Sequence, residues 1–232
     1  MVTELEYVEV ARAESERGEL VLRERRPVDG GPTSLELRAN GVFVMDTVEV
    51  STERAMAHAA LAVVDEPRAV VVGGLGLGYT MHEVLADSRV EKVAVVEIEQ
   101  SLVDWMRDGT IAHGPALLAD ERVTVVVADV AVALAEAAPA SYDLVLLDVD
   151  NGPGFLVHEG NAALYREPFL HSARAALRPG GVLAVWSAAE APELADAMTV
   201  VFGSTEAQSH EVLLQDREEE YWLYLARVPS PT

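Results

Sequence analysis

Apolar and polar positions alternate singly over residues 2–26. Glu4-Leu5-Glu6-Tyr7-Val8-Glu9-Val10 is one period-two run and Glu19-Leu20-Val21-Leu22-Arg23 another, with Glu16-Arg17-Gly18 between them as a turn. After a break at Asp29-Gly30-Gly31-Pro32, Leu35-Glu36-Leu37-Arg38 and Val42-Phe43-Val44-Met45 flank Asn40-Gly41, the signature of a tight hairpin. The first 50 residues are therefore expected to form a small antiparallel β lobe. The period then changes. Met56, Ala59, Ala60 and Val63 fall on one face of a helix over 51–64, with Ser51 or Thr52 as its cap.

From Pro67 onward, short apolar runs alternate with helical stretches. Strands are expected at 69–72, 93–96, 123–127, 144–147 and 182–186, and helices at 80–86, 102–108, 131–137, 164–177 and 192–201. Residues 211–214 and 221–225 form a closing antiparallel pair. Continuous Val/Leu strands alternating with helices imply a parallel sheet covered on both faces, which binds ligands at the carboxyl ends of its strands. The expected division is a β lobe at 1–50, an α/β domain at 51–228, and a disordered tail, Pro229-Ser230-Pro231-Thr232.

The first parallel strand runs into Gly73-Gly74-Leu75-Gly76-Leu77-Gly78. Such a turn lets a ligand approach the backbone. The second strand ends at Glu97, placed to accept the hydroxyls of a ribose. The third ends at Asp129, which can accept an exocyclic adenine amine or cap the next helix. Gly74, Leu75, Gly76, Leu77, Gly78, Glu97, Ile98, Asp129, Val130 and Asp148 are the expected cofactor residues. The dinucleotide spacing G-x-G-x-x-G is not met, since the sixth position from Gly74 is Tyr79. A nucleoside without a pyrophosphate, rather than a nicotinamide dinucleotide, is the expected ligand.

The fourth strand ends in Asp148-Val149-Asp150. If strand geometry persists that far, alternation points both acids to one face, as a pair that binds a cationic amine or serves as general base; the competing reading is a turn, since Asp150-Asn151-Gly152-Pro153-Gly154 is rich in turn formers. The glycines at 152, 154 and 160 make residues 151–163 a candidate lid. Trp105, Trp186 and Trp222 read as core or interface residues.

Charge narrows the partners. The 232 residues carry 17 Lys and Arg against 39 Asp and Glu, a net charge of −22, with half of all residues apolar. Nucleic acid is excluded as an expected partner, because phosphate binding needs clustered cations. A cationic substrate would be attracted. No apolar run has the length of a membrane span, the start MVTELEYVEV lacks the form of a signal peptide, and there is no cysteine. A cytoplasmic protein is expected.

These residues resemble the spermidine synthase family. The resemblance lies in Val70-Val71-Val72-Gly73-Gly74-Leu75-Gly76-Leu77-Gly78-Tyr79-Thr80, in Val93-Ala94-Val95-Val96-Glu97-Ile98-Glu99, in Tyr142-Asp143-Leu144-Val145-Leu146-Leu147-Asp148, and in Leu164-Tyr165 and Ala176-Leu177-Arg178-Pro179-Gly180-Gly181. It implies the class I S-adenosylmethionine (AdoMet) methyltransferase fold. That fold is α/β and Rossmann-like, with a mostly parallel seven-stranded sheet and helices on both faces; here a small N-terminal β lobe precedes it. The resemblance also implies a homodimer that moves an aminopropyl group from decarboxylated AdoMet to a diamine, releasing 5′-methylthioadenosine. Methyl transfer from AdoMet, releasing S-adenosylhomocysteine, stays open beside it.

Three positions depart from the family. Leu77 stands where its loop aspartate would meet the donor's amino group. Ser51-Thr52-Glu53 replaces Tyr-His-Glu, keeping only Glu53. The proton-accepting aspartate falls on Asn151 or, shifted by one, on Asp150. Asparagine cannot take a proton from an attacking amine. The catalytic candidates are Asp148 and Asp150, and the substrate-side candidates Glu53, Asp150, Asn151 and Tyr165. The competing expectation is a non-catalytic relative that keeps the nucleoside site or serves as a scaffold.

Overall fold

A computed structural model of the chain describes residues 4–215 and 217–230. Val2 and Thr3 of the first alternating run, and Pro231 and Thr232 of the expected tail, lie outside the described residues.

The N-terminal part of the pattern folds as an antiparallel sheet of four strands in sequence order. These are β1 (Leu5–Ser15), β2 (Gly18–Pro27), β3 (Ser34–Ala39) and β4 (Val42–Asp46). Asn40 and Gly41 both take positive φ (51° and 76°), as the two-residue hairpin turn requires. The Asn40 carboxamide also accepts the Glu19 N–H at 2.9 Å, tying this turn to the β1–β2 turn.

The second sheet has seven strands in the order β10-β11-β9-β8-β5-β6-β7. Its parallel part is β5 (Ala69–Gly73), β6 (Lys92–Glu97), β7 (Val123–Val127), β8 (Tyr142–Leu147) and β9 (Leu177–Ser187). The hairpin β10 (Glu206–Leu214) and β11 (Arg217–Arg227) closes it antiparallel on β9. Alternation within each strand feeds two cores. Val70, Val72, Val93, Val95, Leu144 and Leu146 face one way, toward α1 (Ser51–Ala62), α2 (Tyr79–Ala86) and α3 (Gln100–Asp108). Val71, Val145, Leu147, Leu183 and Val185 face the other, toward α5 (Val130–Glu136), α6 (Glu167–Ala176) and α7 (Pro192–Phe202). Burial on both faces is why these strands read as unbroken apolar runs.

Four expectations shift. The helix expected at 164–177 splits at Arg166 into a 3-10 turn, Glu159–Tyr165, and α6, because Pro168 starts a new helix in its first turn. Leu177 already belongs to β9. A short helix unread in the sequence, α4 (Gly114–Leu118), follows α3. Helix α1 is capped by neither Ser51 nor Thr52: Val50 holds the cap position without a side-chain bond. Its buried face is Thr52, Glu53, Met56, Ala57, Ala60 and Leu61, so the inward stripe is rotated away from Val63, which is exposed.

The strand order reverses between β5 and β8. The turn after β5 and the acids after β8 thus lie side by side at the carboxyl ends, where open α/β sheets hold ligands.

Candidate functional site

A cavity of about 340 Å³ opens at this switch point, walled by both sheets and by the segment after β8. Gly74, Gly76, Glu97, Ile98, Asp129, Val130 and Asp148 line it, as do Glu53, Asp150 and Asn151. Leu75, Leu77, Gly78 and Tyr165 stand behind the wall.

The glycine turn is built by close approach. The Gly74 N–H donates to the Val96 carbonyl at 2.9 Å, and Gly74 has φ of 91°. A Cβ there would collide with the Asp148 carbonyl oxygen, so only glycine lets β5 and β8 converge. Leu75 and Leu77 turn their side chains into the core, and Leu77 is fully buried. Its N–H points to the Met45 sulfur at 3.2 Å and its carbonyl oxygen lies 2.6 Å from His113 Nε2. Strand β4 thereby braces the turn from the antiparallel lobe.

Glu97 is buried, and both carboxylate oxygens accept backbone N–H groups, from Leu75 and from Glu99, each at 2.8 Å. Burial raises its pKa, while these backbone N–H groups pull the other way. Each oxygen keeps a lone pair directed elsewhere. Asp129 caps α5 through one oxygen, accepting the Ala131 N–H at 2.7 Å, and stays exposed. The β1–β2 hairpin tip reaches over this end: Ser15 donates to Glu99 at 3.1 Å and Arg17 to the Asn161 side-chain oxygen at 3.2 Å.

At the other end of the cavity β8 stops at Leu147 and the chain turns, so strand alternation does not carry through Asp148 and Asp150, and the two acids take different partners. Asp148 accepts the Thr80 hydroxyl at 2.8 Å, and burial pushes its carboxyl up to about 6. Asp150 points into the following segment. One of its oxygens accepts the N–H groups of Asn151 and Val157, both at 2.7 Å. The other accepts the His158 N–H at 3.4 Å and the Asn161 amide at 2.7 Å. Asn151 donates to the Phe43 carbonyl at 3.1 Å, joining the segment to β4. The candidate lid residues Phe155, Val157, His158 and Asn161 line the cavity, held by this clasp. Tyr165 packs in the core beneath, its hydroxyl raised first by burial and then by Asp150 and Asp148.

Asp148 shares the cavity wall with Glu53, in the first turn of α1. Burial, then the Asp148 charge, pushes Glu53 up to about 8. The Thr52 hydroxyl donates to Glu53 at 3.1 Å and accepts the Trp186 indole N–H at 3.1 Å. Trp186 meets Tyr221 edge to face at 4.9 Å, and both line the cavity. Tyr221 is pushed up to about 12 by burial and then by surrounding acids, Glu219, Glu53, Glu49 and Asp46. Trp186 is thus a wall residue as well as a core residue. No motif in the sequence linked it to Thr52, which is 134 positions away.

In all, eight carboxylates and a single arginine line the cavity. The arrangement suits a neutral nucleoside at the Glu97 end and positive charge at the Glu53 end.

The doubly wound sheet, with the glycine turn at its switch point and an acid ending the next strand, defines a protein of the Rossmann-like α/β class. The chain belongs to the spermine/spermidine synthase family: residues 49–208 match the spermine/spermidine synthase domain. It is 35% identical over 125 residues to polyamine aminopropyltransferase 2 of Pseudomonas aeruginosa, covering 52% of this chain and 34% of that protein. It is 33% identical over 128 residues to putrescine N-methyltransferase 3 of Nicotiana tabacum, covering 54% of this chain and 32% of that protein. The match thus spans about a third of the length of these relatives. The fold is similar to that of a spermidine synthase solved with the transition-state analogue AdoDATO. The TM-score is 0.79 at 18% identity, with 94% of this chain and 73% of that one covered. Among the described residues no helix is long and apolar enough to cross a membrane.

Proposed function

We propose that the chain is a transferase that moves a group from a sulfonium nucleoside, AdoMet or decarboxylated AdoMet, to the nitrogen of a small cationic amine such as a polyamine. The observation that carries this reading is the buried carboxylate Glu53 lining one cavity with the half-buried Asp148 and the nucleoside-type acid Glu97. When bound, such a donor brings an electrophilic carbon with its own leaving group, and leaves alignment and deprotonation to the protein.

On this reading the free lone pairs of Glu97 take the ribose hydroxyls. The uncapped oxygen of Asp129 takes the adenine amine, with Ile98 and Val130 flanking the base. Gly74 and Gly76 leave room for the ligand against the backbone. Asp148 sets negative charge toward the cationic centre. Trp186 and Tyr221 offer aromatic walls to an ammonium, a contact worth roughly 0.5–2 kcal/mol. Asn151 and the 151–163 segment close the acceptor end.

Leu77 bears on which group moves. A donor that keeps its amino-acid carboxylate and one that lacks it differ by one negative charge, and this wall is acidic. That balance favours decarboxylated AdoMet on charge, whereas the missing loop acid at Leu77 removes one partner for its amino group. Incubation with putrescine and each donor separates the alternatives by product. 5′-Methylthioadenosine means aminopropyl transfer, and S-adenosylhomocysteine means methyl transfer. Donor binding with neither product across an amine series identifies a non-catalytic relative and overturns the transferase reading.

A further inference from the structure

We infer that Glu53 accepts the proton which the acceptor amine must shed, and that Asp150 is the clasp of the covering segment. This deepens the transferase reading and rests on it.

Of the two positions on which the resemblance puts the base, Asn151 and Asp150, only Asp150 can take a proton, but its lone pairs are committed. Its four N–H donors come from Asn151, Val157, His158 and Asn161. Taking a proton there would break at least one of these bonds and loosen the segment that walls the cavity. Glu53 is the opposite case. Among the described residues its donors are the Thr52 hydroxyl, itself held by Trp186, and its own backbone N–H. It is buried, it lines the cavity, and its neighbour across the wall is another acid, Asp148. Among the described residues no arginine, lysine or histidine pairs with either carboxylate. A buried acid and a half-buried one on the same cavity wall, without a counter-ion, form a site that a cation completes.

The step balances without another reactant. The ammonium donates its proton to the Glu53 carboxylate and becomes a neutral amine. The amine lone pair forms the new C–N bond at the sulfonium carbon, and the C–S electron pair leaves on sulfur as a neutral thioether. In the free protein Glu53 holds a proton below about pH 8. A bound ammonium favours its ionised form, so amine binding at pH 7 expels a proton from the protein.

Calorimetry tests this without turnover. Putrescine is titrated at pH 7 into protein saturated with 5′-methylthioadenosine, in buffers of different ionisation enthalpy. The wild type is expected to release close to one proton per putrescine bound. Glu53→Gln, verified as folded by circular dichroism, is expected to release almost none and to bind at least tenfold more weakly. Asp150→Asn is expected to keep the release. Absence of proton release from the wild type, release that persists in Glu53→Gln, or nucleoside binding with no putrescine binding at all each overturns the proposal. Failure of the wild type to bind 5′-methylthioadenosine overturns instead the transferase reading beneath it.

Discussion

Replacing Glu53 by glutamine removes one titration while keeping the side chain's size and an oxygen for the Thr52 hydroxyl. In the folded protein Glu53 titrates near pH 8, whereas its ordinary value is 4.5. Below the lower value both states hold the proton. Between the two values only the folded state holds it, so the unfolded state binds one proton fewer. Stability then falls as pH rises, by about 1.4 kcal/mol per pH unit for one group. Over pH 6 to 8 the wild type should therefore lose roughly 2–3 kcal/mol relative to Glu53→Gln. At about 2–4 °C per kcal/mol for a chain of this size, the melting temperatures should diverge by about 5–10 °C across that window. Asp148, raised by its own burial, titrates in both proteins and largely cancels. The assay is a pair of calorimetric or fluorescence melts at half-unit pH steps. Parallel curves from pH 6 to 8 would refute the claim that Glu53 is desolvated beside a second acid.

The other predictions concern the remaining walls. Glu97→Gln should weaken 5′-methylthioadenosine binding by about 10–100-fold, the loss of one charge-assisted hydrogen bond, read by calorimetry. Leu77→Asp restores the family's acid only on paper. Leu77 is fully buried, so an unpaired carboxylate there should cost several kcal/mol and show as a sharply lowered denaturation midpoint. Asp150→Ala should leave the N–H groups of Val157 and His158 without acceptors, and their hydrogen exchange should speed up while exchange in β5 and β8 is unchanged.

Most of the scaffold was legible because burial on both sheet faces writes itself as unbroken apolar runs, as at Val70–Val72 and Leu144–Leu147. The Asn40-Gly41 turn was legible because its backbone geometry selects those residues. The helix break at Arg166 was harder to see: Leu164 and Tyr165 keep an apolar rhythm through a 3-10 turn into α6. At the site, Gly74 and Glu97 could be read from spacing, since a turn and the next strand end are linked through one βαβ unit. Strand alternation does not set the directions of Asp148 and Asp150, because it holds only while the strand does, and β8 ends at Leu147. The Thr52–Trp186 bond, the Met45 contact with the glycine turn, and the cavity wall that Glu53 and Asp148 share join segments far apart in sequence. No local period carries such information; only the packing of α1 against the β8–β9 side of the sheet creates it.

The central claim is that the switch-point cavity takes a sulfonium nucleoside with Glu97 as its ribose anchor. Calorimetric titration of AdoMet and of decarboxylated AdoMet into the wild type and Glu97→Gln tests it most directly. Saturable one-to-one binding of at least one donor by the wild type is expected, weakened about tenfold or more in the variant. Absence of binding by both donors at millimolar concentration, or equal affinity in wild type and variant, would contradict it.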